Sequence, residues 1–144
     1  MRGAHAVNAT MAVPKQSSGE KAKSGSHGYA KTLAAQPIGS SAELVTIEAD
    51  LTRGLHSFSI VGLADKAVEE ARDRLSAAIR HSGIKSPKQQ NKRIVLSLSP
   101  ADLKKEGSHY DLGLAVAYLI AAEEIRPLQK DALLIGCLLY TSDA

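Results

Sequence analysis

The sequence predicts a two-layer α/β sandwich, in which helices cover one face of a sheet. Three observations support this class: apolar residues alternate with small or polar ones between Tyr29 and Ser99, an amphipathic segment follows Gly62, and an apolar segment follows Asp111. Period-two alternation is typical of half-buried strands, and a spacing of three to four residues is typical of helices. Half-polar strands indicate a sheet with one face left uncovered.

Four strands are predicted. A short strand around Lys31 to Ala35 comes first, and strands over residues 45–51 and 56–61 follow. The connection Thr52-Arg53-Gly54 has three residues and a glycine that can take a left-handed conformation, so these two strands are predicted to form a hairpin. The last strand covers residues 94–99 and stops before a proline, which cannot donate to a ladder.

The first predicted helix has an apolar stripe opposite a charged face. Asp65 is its predicted N-cap, and Glu70 and Arg74 form a supporting i, i+4 pair. Gly83 is predicted to end the helix in a Schellman motif. The stripe consists of Val68, Ala71, Leu75, Ala78 and Ile79.

A second helix is predicted over residues 111–124, buried on most sides because its apolar residues point around the whole circumference. Aromatic residues make up 3% of the chain, so the core is predicted to consist of Ala, Val, Leu and Ile. The same scarcity argues against a protein that reads single-stranded bases by stacking.

The start of this helix has two interpretations. Ser108 and His109 stand beside Lys104, Lys105 and Asp111, a set that contains a nucleophile and a general base. In the other interpretation, Ser108 and Asp111 cap the helix and both lysines face water. Serine and aspartate before an apolar run are the ordinary helix-start signal, which favours capping.

Motifs for bound cofactors are absent from the sequence. Neither Gly-x-x-x-x-Gly-Lys-Ser/Thr nor Gly-x-Gly-x-x-Gly occurs, so we expect no nucleotide or other cofactor in this chain. The single cysteine, Cys137, and five widely spaced histidines predict neither a disulfide nor a metal site. The longest apolar run, residues 112–122, is shorter than the ~18 residues of a membrane span. We therefore expect a cytoplasmic protein without membrane contact.

The formal net charge of +3 comes from the first 28 residues. From Tyr29 onward, 14 Lys and Arg residues balance 14 Asp and Glu residues. Residues 1–28 are rich in Ser, Gly and Ala and are predicted to form a disordered basic tail. One basic cluster remains in the folded part, and it is either a solvated loop or a contact for nucleic-acid phosphates. It consists of Lys85, Lys88, Lys92 and Arg93.

Three stretches resemble a known family: Glu48 to Leu63, Glu70 to Gly83, and Lys92 to Gly107 followed by Asp111-Leu112. They are similar to the N-terminal domain of the bacterial magnesium-chelatase-like AAA+ proteins of the ComM (YifB) type. The similarity covers about residues 29–136 and leaves residues 137–144 as a tail outside the family pattern. The motif positions expected to be structural are Arg53, Gly54, Gly62, Gly83, Pro100, Asp102, Gly107 and Asp111.

The resemblance implies a fold like that of ribosomal protein S5 domain 2 and of the Lon protease domain, here truncated at its C-terminus. It also implies a parent protein in which this domain precedes an AAA+ module that binds ATP and Mg²⁺, forms a homo-hexamer and processes DNA, including branch migration in natural transformation. The chain itself lacks the P-loop, so it is expected to be a non-catalytic fragment and not an enzyme.

Two alternatives to the accessory domain stay open. The first is a stand-alone RNA- or DNA-binding module of the S5-like type, supported by the basic cluster. The second is a degenerate Lon-like serine peptidase. By spacing, the nucleophile of that family would fall near His109, one residue away from Ser108, and no convincing partner lysine follows in the remaining chain.

Overall fold

The structure is a computed structural model that describes residues 27–138. The predicted basic tail and most of the predicted C-terminal tail lie outside these residues. The described elements are β1 (Gly28–Ile38), β2 (Ser41–Arg53), β3 (Ser57–Val61), α1 (Lys66–His81), β4 (Lys92–Ser99) and α2 (Asp111–Ala121), with short 3-10 turns at Pro87–Gln90 and Ser108–Tyr110. Both helices pack on one face of a mixed four-stranded sheet, which confirms the α/β class.

The order of strands in the sheet is β1-β2-β4-β3. β1 and β2 form an antiparallel hairpin, β2 is antiparallel to β4, and β3 is parallel to β4. The predicted hairpin between β2 and β3 is therefore wrong, because β4 lies between them. Leu96 faces Ala49 of β2 on one side and Ile60 of β3 on the other. β2 and β4 are the two interior strands, and the buried residues of β4 are all apolar. The connection from β3 to the parallel strand β4 contains α1, which makes the crossover that parallel strands require.

The first strand is longer than predicted. It covers Gly28–Ile38 and pairs with β2 from Gly28↔Leu51 to Ile38↔Ser41. Gly39 and Ser40 make the turn, and Gly39 has a φ of 58°, a conformation that glycine adopts at little cost. The strand predicted around Lys31 to Ala35 thus covers only the middle of the observed strand.

Helix α1 agrees with its prediction. The Asp65 carboxylate accepts a 2.8 Å hydrogen bond from the Val68 N–H, which caps the helix. Gly83, after the last turn, has a φ of 78°, as a left-handed end residue requires. Ala78 is half-buried, and the other stripe residues are buried: Val68, Ala71, Leu75 and Ile79.

Helix α2 is buried on most sides, as predicted, but it ends at Ala121 instead of near residue 124. Glu123, with a φ of 60°, leads the chain out of the helix. The predicted capping by Ser108 and Asp111 is wrong, since the N-cap position is Tyr110 and no side chain makes a capping hydrogen bond there. Neither α1 nor α2 has the length and hydropathy needed to cross a membrane.

Two tyrosines correct the predicted composition of the core. Tyr110 and Tyr118 are the largest fully buried side chains of the described residues. The Tyr110 hydroxyl donates a 2.6 Å hydrogen bond to Gln36 Oε1, whereas the Tyr118 hydroxyl has no partner among the described residues. Burial raises the pKa of each tyrosine to about 12, and nearby Asp65 and Glu124 add to the effect at Tyr110 and Tyr118 respectively.

These two hydroxyls predict opposite effects of the same substitution. Tyr118→Phe removes a buried, unpaired polar group and should raise the free energy of unfolding by about 1 kcal/mol, whereas Tyr110→Phe loses a hydrogen bond and should lower it by about 0.5–1.5 kcal/mol. Urea unfolding at neutral pH measures both. Two losses of similar size would contradict the assignment of the Tyr118 hydroxyl as unpaired.

The raised pKa of Tyr118 also makes the free energy of unfolding depend on pH. The unfolded tyrosine ionises near pH 10.0 and the folded one near 12, so the unfolded state releases its proton first and the folded state loses stability across this range. The Tyr118→Phe protein should lose less stability than the parent between these two pH values.

Candidate functional site

A polar junction joins the end of β3 to the chain after β4. We use this name for residues 62–65 together with residues 104–107. The Lys105 N–H donates to the Leu63 carbonyl at 3.0 Å, and the Asp65 N–H donates to the Lys105 carbonyl at 2.9 Å. The two segments thus pair like very short parallel strands, with Ala64 opposite Lys105. The loops that carry much of the family-like motif are held together as one piece.

The Lys105 side chain is fully buried, at 0% exposure, so the prediction that it faces water is wrong. Its Nζ donates to the Gly62 carbonyl at 2.7 Å and to the Pro100 carbonyl. Burial lowers the pKa of Lys105 below its ordinary value of 10.5, and the charge of Asp102 offsets part of this effect. Lys105 therefore ties the loop after β3 to the loop after β4.

Two glycines of the junction have backbone reasons to be glycine. Gly62 has a φ of 114°, and a Cβ there would lie 2.1 Å from the Leu98 carbonyl oxygen. Gly107 has a φ of 95°, and its N–H donates to Asp65 Oδ2 at 3.3 Å. Since the other oxygen of Asp65 caps α1, this one carboxylate links the junction to the start of the helix.

Asp111 forms a buried ion pair with Arg74, instead of the predicted helix cap. The guanidinium donates from Nε to Oδ2 at 2.7 Å and from Nη2 to Oδ1 at 2.9 Å, and the carboxylate is 0% exposed. Oδ2 also accepts the Leu138 N–H at 3.0 Å and lies 3.4 Å from the Cys137 thiol. The hydrogen bond to Asp111 raises the pKa of Arg74. The predicted Glu70–Arg74 pair is present, but at 3.9 Å.

The remaining motif residues lie at the ends of elements. Arg53 is the last residue of β2 and stands opposite Lys92. The Gly54 N–H donates to the Asn91 carbonyl at 3.2 Å as the chain turns out of β2. Gly83 follows α1, and exposed Asp102 follows Pro100.

The side chains of the alternative nucleophile set point to different partners. His109 Nε2 lies 2.8 Å from the Ala35 carbonyl oxygen, and Lys104 pairs with Glu106 at 2.8 Å at the surface. Lys105 and Asp111 are engaged inside the fold as described above. Among the described residues, the structure does not bring these groups together around Ser108.

The four basic candidates do not form one surface. Lys85 and Lys88 are exposed at the 3-10 turn, whereas Lys92 is half-buried. Arg93 lies on the helix-free face of the sheet, in a recess of about 300 Å³ that it shares with Glu48, Asp50 and Tyr29. Two carboxylates, those of Glu48 and Asp50, therefore line the same recess as Arg93.

Lys88 contributes instead to a groove of about 600 Å³ between β3, α1 and the 3-10 turn. The other cations of this groove are Arg72 and Arg80 of α1, which are not part of the basic cluster predicted from the sequence. Their signal was present in the spacing, because Arg72, Ser76 and Arg80 follow one another at four-residue intervals and so share a helix face. We call this feature the basic groove and define it by Arg72, Arg80, Lys88, His56, Ser57 and Asp73.

The buried ion pair predicts a large difference between two neighbouring substitutions. Arg74→Ala leaves the Asp111 carboxylate buried without its cation and should lower the free energy of unfolding by about 3–5 kcal/mol. Glu70→Ala removes only the exposed partner of Arg74 and should cost at most about 1 kcal/mol. Urea unfolding of both variants tests this. Equal losses in the free energy of unfolding would show that the buried ion pair contributes no more to stability than the exposed contact of Glu70.

Lys105 predicts a pH dependence with a defined sign. Because its pKa is lower in the folded state, the unfolded state binds more protons between that pKa and 10.5, and stability rises with pH in this window. Lys105→Met removes this contribution. The stability of the parent relative to the variant should therefore increase from neutral pH toward 10.5. A constant difference would show that Lys105 titrates like an exposed lysine.

Comparison with known proteins places this sequence in a family. Residues 47–143 match the family described as subunit ChlI of Mg-chelatase. The chain is 43% identical over 105 residues to the uncharacterized protein YifB of Salmonella typhimurium, covering 72% of this chain and 20% of that protein. It is 43% identical over 88 residues to the competence protein ComM of Haemophilus influenzae, covering 61% of this chain and 17% of that protein.

An uncharacterized protein of Mycobacterium tuberculosis is 45% identical over 96 residues, covering 65% of this chain and 18% of that protein. The chain thus spans about a fifth of the length of the curated relatives it matches. These matches confirm the resemblance drawn from the three sequence stretches. The chain belongs to the Mg-chelatase subunit ChlI family, as a magnesium-chelatase-like protein of the ComM and YifB type.

Proposed function

We propose that this chain is a non-catalytic domain of a longer AAA+ ATPase that acts on DNA. Two findings from the comparisons support the proposal: one relative is a competence protein, and the relatives are about five times as long as the matched region. The additional length leaves room for an ATPase module, which would hold ATP and Mg²⁺ and assemble as a homo-hexamer. We also propose a cytoplasmic location, because the single cysteine, Cys137, fits a reducing compartment.

The geometric observation that carries the proposal is that one set of polar side chains is engaged inside the fold, whereas another set is exposed on its surface. Lys105, Asp65, Arg74 and Asp111 are used inside the fold to hold loops and helices together. The cations of the basic groove point outward. This arrangement suits a domain that contacts a partner while another module performs the chemistry.

A stand-alone nucleic-acid-binding module is the second candidate, because the basic groove would serve it equally well. The gene sequence distinguishes the two candidate functions. Coding sequence for Gly-x-x-x-x-Gly-Lys-Ser/Thr downstream of Gly136 supports the ATPase, since the loop amides and the lysine hold nucleotide phosphates. A natural stop codon before any such motif would overturn the ATPase proposal in favour of the stand-alone module.

The activity test uses the longer protein encoded at that locus. We expect ATP hydrolysis that branched DNA stimulates several-fold, and loss of this activity when the lysine of the phosphate-binding motif is replaced by alanine. The 144-residue chain alone should show no turnover under the same conditions. ATP turnover by the short chain that persists through further purification, or a longer ATPase indifferent to DNA, would contradict the proposal.

A further inference from the structure

The basic groove combines side chains from three elements. Ser57 is the first residue of β3 and His56 precedes it, Arg72 and Arg80 come from α1, and Lys88 comes from the 3-10 turn. The 3-10 turn is fixed by its own hydrogen bonds, because the Gln89 N–H donates to the Ser86 carbonyl at 3.0 Å and the Ser86 N–H donates to Gln89 Oε1 at 3.2 Å. Lys88 is therefore held opposite the helix on a short, braced segment.

The charges of the groove do not cancel. Asp73 is its one carboxylate among the described residues that line it, and it lies 3.8 Å from Arg72 Nε with 79% of its side chain exposed. An exposed pair of this kind contributes about 0–1 kcal/mol, so an anion can compete for the arginine. Arg80 and Lys88 make no ion pair with the described residues. The groove thus keeps an excess of positive charge, although Lys, Arg, Asp and Glu balance from Tyr29 onward.

The spacing of the cations suits a chain of phosphates. Arg72 and Arg80 are eight residues apart on one helix face, which places their Cα atoms ~12 Å apart along the axis. A guanidinium presents a planar fork of donors that matches phosphate oxygens. His56 donates from Nδ1 to the Lys92 carbonyl at 3.1 Å, so this bond leaves Nε2 uncommitted at the groove.

We propose that the basic groove binds the phosphodiester backbone of nucleic acid. The choice of nucleic acid as the ligand class rests on the proposed function. The cations of the groove account for the binding of phosphate groups. Apart from the imidazole of His56, Phe58 is the one aromatic side chain among the described lining residues, and it is half-buried against the core. With so little aromatic surface, binding depends on phosphates and not on bases, so it is weak, independent of sequence and sensitive to salt.

The test compares two variants of the complete 144-residue chain that lose the same charge. The groove variant is Arg72→Gln/Arg80→Gln/Lys88→Gln, and the control is Lys31→Gln/Arg93→Gln/Lys130→Gln, whose positions lie outside the groove. All the variants retain residues 1–28, so the basic tail contributes equally to each. Circular dichroism establishes that each variant is folded.

Binding is measured by the fluorescence anisotropy of labelled mixed-sequence DNA, either single strands of about 20 nucleotides or the matching duplex. Salt is varied from about 50 to 200 mM. We expect a parent Kd of roughly 10⁻⁴–10⁻⁶ M near physiological salt. The groove variant should bind at least about tenfold more weakly with a reduced salt slope, and the control should stay within about twofold of the parent.

The two DNA forms distinguish the source of the phosphates. Tighter binding of the single strand supports a strand lying in the groove, and tighter binding of the duplex, with the same loss in the groove variant, supports contact along its backbone.

Equal affinity of the groove and control variants would overturn the inference, as would polyglutamate of similar length binding to the parent as tightly as DNA. If DNA stimulates ATP hydrolysis by the longer protein but the groove variant binds DNA as well as the control, only the groove proposal is contradicted. If DNA binding depends on the groove but DNA does not stimulate ATP hydrolysis, only the proposed function is contradicted.

Discussion

The carboxylate of Asp111 is the group on which the arrangement of the helical layer depends. It lies at the start of α2, receives both arms of the Arg74 guanidinium from the middle of α1, and accepts the backbone N–H of Leu138. Removing a carboxylate from water is costly, and the cost is met only while the cation and the N–H donor are in place. One buried charge thereby fixes two helices and the chain beyond them relative to one another.

The orientation of α1 has consequences on its opposite side. Its apolar stripe and Arg74 face the core and α2, so Arg72 and Arg80 are directed toward solvent beside β3. The polar junction fixes the beginning of the same helix through Asp65, whose carboxylate caps α1 and accepts the Gly107 N–H. The position of the basic groove thus follows from the interactions that hold the helix.

Features with local causes could be predicted from the sequence. The N-cap at Asp65, the left-handed Gly83 and the stripe of α1 all depend on residues a few positions apart. Features with distant causes could not be predicted. Three residues at Thr52–Gly54 suffice for a hairpin, and nothing local reveals that β4 takes the place beside β2. Arg74 and Asp111 are 37 positions apart.

The same distinction explains the basic groove and the buried lysine. The cations from Lys85 to Arg93 are clustered in the sequence, but the fold separates Arg93 from Lys88 and places Lys88 opposite two arginines of another element. Lys105 is buried because two backbone carbonyls from separate loops converge on its Nζ, a geometry without a sequence signature.

In our proposal, this family member contacts nucleic acid through the basic groove and not through the helix-free face of the sheet. An NMR titration of the ¹⁵N-labelled chain with single-stranded DNA tests it residue by residue. We predict that the backbone amide signals of Ser57, Arg72 and Lys88 shift as DNA is added, while those of Glu48 and Arg93 on the helix-free face stay in place. Shifts confined to the helix-free face, with the groove signals unmoved, would contradict the account.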